Sequence, residues 1–136
     1  MTTVPFDLHR WTRDWTAACP VGRLEPLRGV AVLLPDGAQV ALFRLADDSI
    51  RAIGNIDPIG RAAVMSRGIV GDRGGFPVVQ SPLKKQAFSL LDGRCLDAPD
   101  FSIPVYDTRI SLDGTVFVAN SPEIRFGYRP PRPESA

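Results

Sequence analysis

Gly29 to Leu45 reads GVAVLLPDGAQVALFRL. Gly29-Val30-Ala31-Val32-Leu33-Leu34 is a run of small and branched apolar residues, the composition of a β-strand. Pro35-Asp36-Gly37 then interrupts it with a turn of the Asp-Gly type, where glycine supplies the backbone freedom a tight reversal needs. Gln39-Val40-Ala41-Leu42-Phe43-Arg44-Leu45 answers as the returning strand, so the segment predicts a β-hairpin.

The same grammar repeats outward. Asp47-Asp48 turns the chain into Ser49-Ile50-Arg51-Ala52-Ile53. Gly68-Ile69-Val70-Gly71 and Pro77-Val78-Val79-Gln80 flank Gly74-Gly75, and Gln86-Ala87-Phe88-Ser89-Leu90 runs to Asp92-Gly93. Pro104 to Ile110 is expected to pair with Thr115-Val116-Phe117-Val118 across Asp113-Gly114. Many short strands closed by such turns predict an all-β sandwich or barrel. Helical signal is weak. Arg61 to Arg67 reads as one short turn or helix, and Trp11 to Ala18 as helix or strand, with a strand favoured at Asp14 to Ala18. Thirteen prolines and twelve glycines fit a loop-rich β domain.

The 136 residues suit one domain, and 44% hydrophobic content suffices for a core. A net charge of +1 argues against a broad nucleic-acid footprint. No apolar run approaches a membrane span, and residues 1–10 lack the order of a signal peptide, so a cytoplasmic location is expected. There the two cysteines, Cys19 and Cys95, are expected reduced and packed as small hydrophobes. The segment from Pro122 to Ala136 holds Pro130-Pro131-Arg132-Pro133 and reads as a solvated tail, less readily as a recognition motif, with Phe126 and Tyr128 able to pack on something.

Candidate chemistry is sparse. His9 is the single histidine, which rules out a histidine-rich metal site, and no spacing joins it to Cys19 or Cys95 as a nucleophile–base pair. Gly71-Asp72-Arg73-Gly74-Gly75 lacks the ending of a phosphate loop and reads as a hairpin turn. The carboxylates Asp47, Asp48, Asp97 and Asp100 sit in turn contexts, where aspartate bonds its own backbone.

One constellation remains. Ile53-Gly54-Asn55-Ile56-Asp57 leaves a strand for a loop, and Ser81-Pro82-Leu83-Lys84-Lys85-Gln86-Ala87-Phe88-Ser89 comes later, followed by Leu91-Asp92-Gly93. This resembles a Rieske domain, whose two loops read Cys-x-His and Cys-Pro-x-His-Gly and hold a [2Fe–2S] cluster through two cysteines and two histidines. Asn55 and Asp57 stand at the first pair of ligand positions, Ser81 and Lys84 at the second. A lysine ammonium has no lone pair for iron, and neither Asn55 nor Ser81 supplies a thiolate. The interval from Asp57 to Ser81 is longer than that family usually has.

Gly54-Asn55-Ile56-Asp57-Pro58, the inserted loop Ser66 to Asp72, and Ser81-Pro82 before Lys84-Lys85-Gln86 narrow the resemblance to the small subunits of assimilatory NAD(P)H-dependent nitrite reductases. It extends over roughly residues 14 to 118, through Gly93 to Pro99, Ile103 to Tyr106 and Leu112 to Val116. It implies a Rieske-like (ISP-type) β sandwich with a cluster-type loop subdomain lacking its metal, over residues 11–121, between an N-terminal extension at 1–10 and a proline-rich tail at 122–136.

It further implies a chain with no cofactor and no catalytic residue of its own. Its partner would be a large subunit that carries FAD, sirohaem and an iron–sulfur cluster and reduces nitrite to ammonium. The alternatives are a β interaction module for a different redox partner, or a Rieske-type electron carrier. Lys84 and Lys85 lie at what would be the cluster-bearing tip, which faces the redox partner in cluster-bearing relatives; they read either as a docking pair or as solvated lysines. Arg67 and Arg73 are further docking candidates, or bridge within their own loop with Asp72.

Overall fold

A computed structural model describes residues 14–123. His9, the N-terminal extension, Phe126, Tyr128 and the proline run after them lie outside the described residues. The strands are β1 (Trp15–Pro20), β2 (Gly29–Leu33), β3 (Gln39–Arg44), β4 (Ile50–Gly54), β5 (Ile69–Arg73), β6 (Phe76–Gln80), β7 (Ala87–Ser89), β8 (Val105–Tyr106), β9 (Thr108–Ile110) and β10 (Thr115–Ala119). They form three antiparallel sheets, ordered β1-β10-β9, β2-β3-β4-β8 and β5-β6-β7. Among the described residues no helix is long and apolar enough to cross a membrane.

The fold turns on β3. Successive side chains of a strand point to opposite faces, and all four of Val40, Ala41, Leu42 and Phe43 are buried. Val40 and Leu42 join Leu24, Leu34, Ala52, Val116 and Val118 in one apolar cluster. Ala41 and Phe43 join Ile53, Met65, Val79, Phe88, Leu90 and Ile103 in the other. The four-stranded sheet is therefore a central layer with a three-stranded sheet on each face. This explains why the strand reads as an unbroken apolar run and not as an alternation. Each large side chain buried this fully contributes roughly 1.5–3 kcal/mol.

The expected hairpin is present: β2 pairs with β3 in register from Gly29↔Phe43 to Leu33↔Gln39, and Gly37 takes φ 92° in the turn. The other expected strands lie within one or two residues of their predicted ends, with two differences. Pro104 to Ile110 is not one strand. Val105–Tyr106 pairs with β4, whereas Thr108–Ile110 pairs with β10 in a different sheet. Asp107 makes the break, accepting the Thr108 N–H with its carboxylate at 3.0 Å. Within residues 61–67 the only helical turn is the 3-10 turn Met65–Arg67, anchored by buried Met65.

Candidate functional site: two matched loops at one end

Two loops meet at one end of the molecule. The first leaves β4. The Asn55 N–H extends the sheet by one bond to the Gln39 carbonyl at 2.9 Å. Its side chain faces inward, donating from Nδ2 to Gln39 Oε1 at 3.2 Å and accepting the Ser66 N–H at 2.8 Å. Strand-like alternation continues past it, so Ile56 faces out and Asp57 faces in. Asp57 is fully buried, and buried carboxylates require partners. It has three: Oδ1 accepts the N–H groups of Ile59 at 2.8 Å and Gly60 at 3.0 Å, and Oδ2 accepts the Ser81 hydroxyl at 2.5 Å. Asn55 and Ser81 are buried as well, 2% and 1% exposed.

The second loop joins β6 to β7 and repeats the backbone bonds of the first. Asp57 N–H donates to the Ala62 carbonyl at 2.9 Å, and Ser81 N–H to the Gln86 carbonyl at 2.9 Å. Arg61 N–H returns to the Asp57 carbonyl at 2.7 Å, and Lys85 N–H to the Ser81 carbonyl at 3.0 Å. A proline, Pro58 or Pro82, follows the first residue and fixes its own φ. The fifth residue closes each loop in the left-handed region, Arg61 at φ 61° and Lys85 at φ 65°. Leu83 lies over Gly60, where an added Cβ would stand 2.5 Å from Leu83 Cδ1. The Asp57–Ser81 hydrogen bond thus joins two copies of one loop.

Of the residues singled out from sequence, Asn55, Asp57 and Ser81 come together in this network, while Lys84 and Lys85 are exposed beside it. Arg67, also exposed, belongs to the same end: Gly68 next to it packs on the Gln80 carbonyl. Arg73 does not. It lies at the opposite end of β6, roughly 17 Å away at the rise of an antiparallel strand. It pairs with Asp97 at 2.7 Å, not with Arg67 or Asp72. That guanidinium, together with the Ala87 N–H, holds the Asp97 carboxyl below the usual carboxylate range.

Arg61 was missed from sequence, although a signal existed. Asp57-Pro58-Ile59-Gly60-Arg61 and Ser81-Pro82-Leu83-Lys84-Lys85 share a small polar residue, a proline, an aliphatic residue and a basic closing residue. The cysteines lie elsewhere. Cys95 is buried in the core, and burial pushes the half-buried Cys19 thiol up, with Arg23 opposing. Among the described residues no group of three His, Cys, Asp or Glu side chains is placed to hold a metal ion.

Three antiparallel sheets with paired loops at one end define a Rieske-like domain, and the family model for a Rieske-like [2Fe-2S] domain matches residues 14–119. Within that class the chain belongs to the family of nitrite reductase (NADH) small subunits. It is 44% identical over 104 residues to the small subunit of Salmonella typhimurium, covering 76% of this chain and 94% of that one. A crystal structure from Mycobacterium tuberculosis, of a candidate NADH-dependent nitrite reductase small subunit, superposes with a TM-score of 0.76 at 62% identity, covering 77% of this chain and 93% of that one. A third relative is the nitrite reductase [NAD(P)H] large subunit of Klebsiella oxytoca, 37% identical over 109 residues. The match covers 80% of this chain and 11% of the Klebsiella protein.

Proposed function

We propose that this chain is the accessory small subunit of a cytoplasmic NAD(P)H-dependent nitrite reductase. Its domain, residues 11–121, docks on a large subunit bearing FAD, sirohaem and an iron–sulfur cluster, which reduces nitrite to ammonium. The chain itself holds no cluster and turns nothing over. The observation that carries this reading is the buried bond between Asp57 and Ser81. A [2Fe–2S] centre of the Rieske type needs two thiolates and two imidazoles, and the residues at those positions do not fit it. Asn55, Asp57 and Ser81 engage protein donors and acceptors, and Lys84 offers donors without a lone pair. Hydrogen bonds join the two loops that the metal would otherwise join.

The Klebsiella large subunit contains a segment similar to this chain, which supports a large subunit as the partner. Lys84, Lys85 and Arg67 supply the docking charge; Arg73, occupied by Asp97 at the far end, does not.

Three measurements test the reading. Anaerobically purified protein assayed for iron and acid-labile sulfide should contain neither, and near-stoichiometric iron with Rieske-like absorption overturns the cluster-free assignment. The isolated chain should oxidise no NAD(P)H with nitrite, and adding it to the large subunit should raise activity or stability. The Lys84→Glu/Lys85→Glu variant should fold within about 0.5 kcal/mol of the parent, as exposed changes do, yet bind the large subunit more weakly than the parent does, by a margin that shrinks with added salt. Unchanged low-salt affinity moves the docking face elsewhere.

A further inference from the structure

A cleft of about 560 Å³ opens beside the first tip loop, between Ile56 and Arg61 on one wall and Phe101 and Pro104 on the other. Such a volume accommodates a bulky side chain or a small ligand. Ile56 faces the cleft because its neighbours Asn55 and Asp57 point inward, and it is left 53% exposed. Phe101 is 39% exposed across from it. Two large apolar side chains line one concavity, and Leu83, 47% exposed, lies against Gly60 of the same loop pair, at the end that carries Lys84 and Lys85. Large apolar side chains left exposed around a concavity mark a contact site.

The exposed charge that the two tip loops bring beside it is basic. On the two tip loops the exposed charged residues are Arg61, Lys84 and Lys85, while the one carboxylate, Asp57, is buried. Asp100 lies in the far wall. Arg61 and Lys85 each hold a left-handed backbone, a conformation that costs a residue with a Cβ and is retained where the surrounding structure fixes it.

Resting on the docking reading above, we infer that this cleft is the anchor pocket of the interface. It receives an apolar side chain of the large subunit, from a segment whose carboxylates meet Lys84 and Lys85. The lysine pair at this end selects an acidic partner surface, and the Klebsiella large subunit, which carries a segment similar to this chain within its own sequence, points to the rest of a large subunit as the protein that supplies it. The cleft contributes a buried hot spot, which governs dissociation, and the lysines contribute encounter, which governs association.

The experiment measures binding of purified large subunit to the parent chain, to Ile56→Gln/Phe101→Ser and to Lys84→Glu/Lys85→Glu, each at low and high salt, beside thermal melts. Both cleft residues are exposed, so the cleft variant should stay folded; if its melt is displaced, Phe101→Ser alone is read instead. The expected result is at least roughly thirtyfold weaker binding of the cleft variant at both salt concentrations, the size of a hot-spot loss. The lysine variant should lose affinity mainly at low salt. Parent-like binding by a folded cleft variant, with the lysine variant still weakened, overturns the anchor pocket and leaves the docking reading standing. Failure of the parent chain to bind overturns both.

Discussion

The two tip loops are built on the same bonds and differ in what they bury. In the first, Asp57 is sealed from solvent under three hydrogen bonds, and Ile59 packs against the core. In the second, Ser81 is buried, but its aliphatic neighbour Leu83 and its two lysines face solvent. One loop backbone therefore performs two tasks. The first copy organises the end of the molecule, and the second presents surface from it. The difference comes from side chains: a carboxylate satisfies two backbone N–H groups and a hydroxyl at once, whereas Ser81 Oγ accepts one backbone N–H, from Leu83 at 3.3 Å.

This contrast breaks most visibly at its shared bond. Asp57→Ala leaves two N–H groups and a hydroxyl buried without an acceptor and should cost roughly 3 kcal/mol, since each orphaned buried group costs about 1–3 kcal/mol before relaxation. Ser81→Ala removes one donor to Asp57 and one long acceptor for the Leu83 N–H and should cost about half as much. Denaturant melts of the two variants check the ranking, and equal losses would show that the loops share the burden evenly.

The closing residues sharpen the comparison from the other side. Lys85→Gly and Arg61→Gly each remove a left-handed backbone cost of order 1 kcal/mol. Part of this is offset by the greater entropy of glycine in the unfolded chain. Lys85→Gly should leave stability unchanged or raise it slightly while weakening attachment to the large subunit, measured by melting temperature and affinity on the same samples. Falling stability would mean that the Lys85 side chain holds the loop together.

The smallest effect serves as a control at the far end. The depressed Asp97 carboxyl contributes stability that is present at neutral pH and lost as acidification protonates it in the folded state. Asp97→Asn should flatten that acid-side decline slightly, because an exposed pair contributes little. Binding of the large subunit at neutral pH should be unaffected.

The sequence displayed the loop motif because proline and the short polar residues before it impose local geometry wherever they occur. Ser81-Pro82 and Asp57-Pro58 thus marked the tip before any distance was known. The hairpin at Asp36-Gly37 was equally legible, for the same local reason. What escaped depended on partners remote in sequence. Val105 and Thr108 look alike as strand residues, yet one pairs with Ile53 and the other with Val118. Nothing near Asp107 announces that the chain changes sheets there. Arg61 escaped because arginine carries no preference for positive φ; the loop that closes between Asp57 and Ala62 places it there. The pairing of Arg73 with Asp97 likewise joins residues 24 positions apart.

The central position of β3 has a consequence for how the molecule comes apart. Val40 and Leu42 belong to one apolar cluster and Ala41 and Phe43 to the other, so a single strand is the common wall of both. Neither half can melt while the other stays intact, because losing β3 strips one face from each. Unfolding should therefore be one cooperative transition, with calorimetric and van 't Hoff enthalpies equal, and a one-residue slip of β3 would exchange the contents of both clusters at once. The tip loops hang from the two sheets packed together around Phe43, so loss of β3 would release that end together with the rest of the fold.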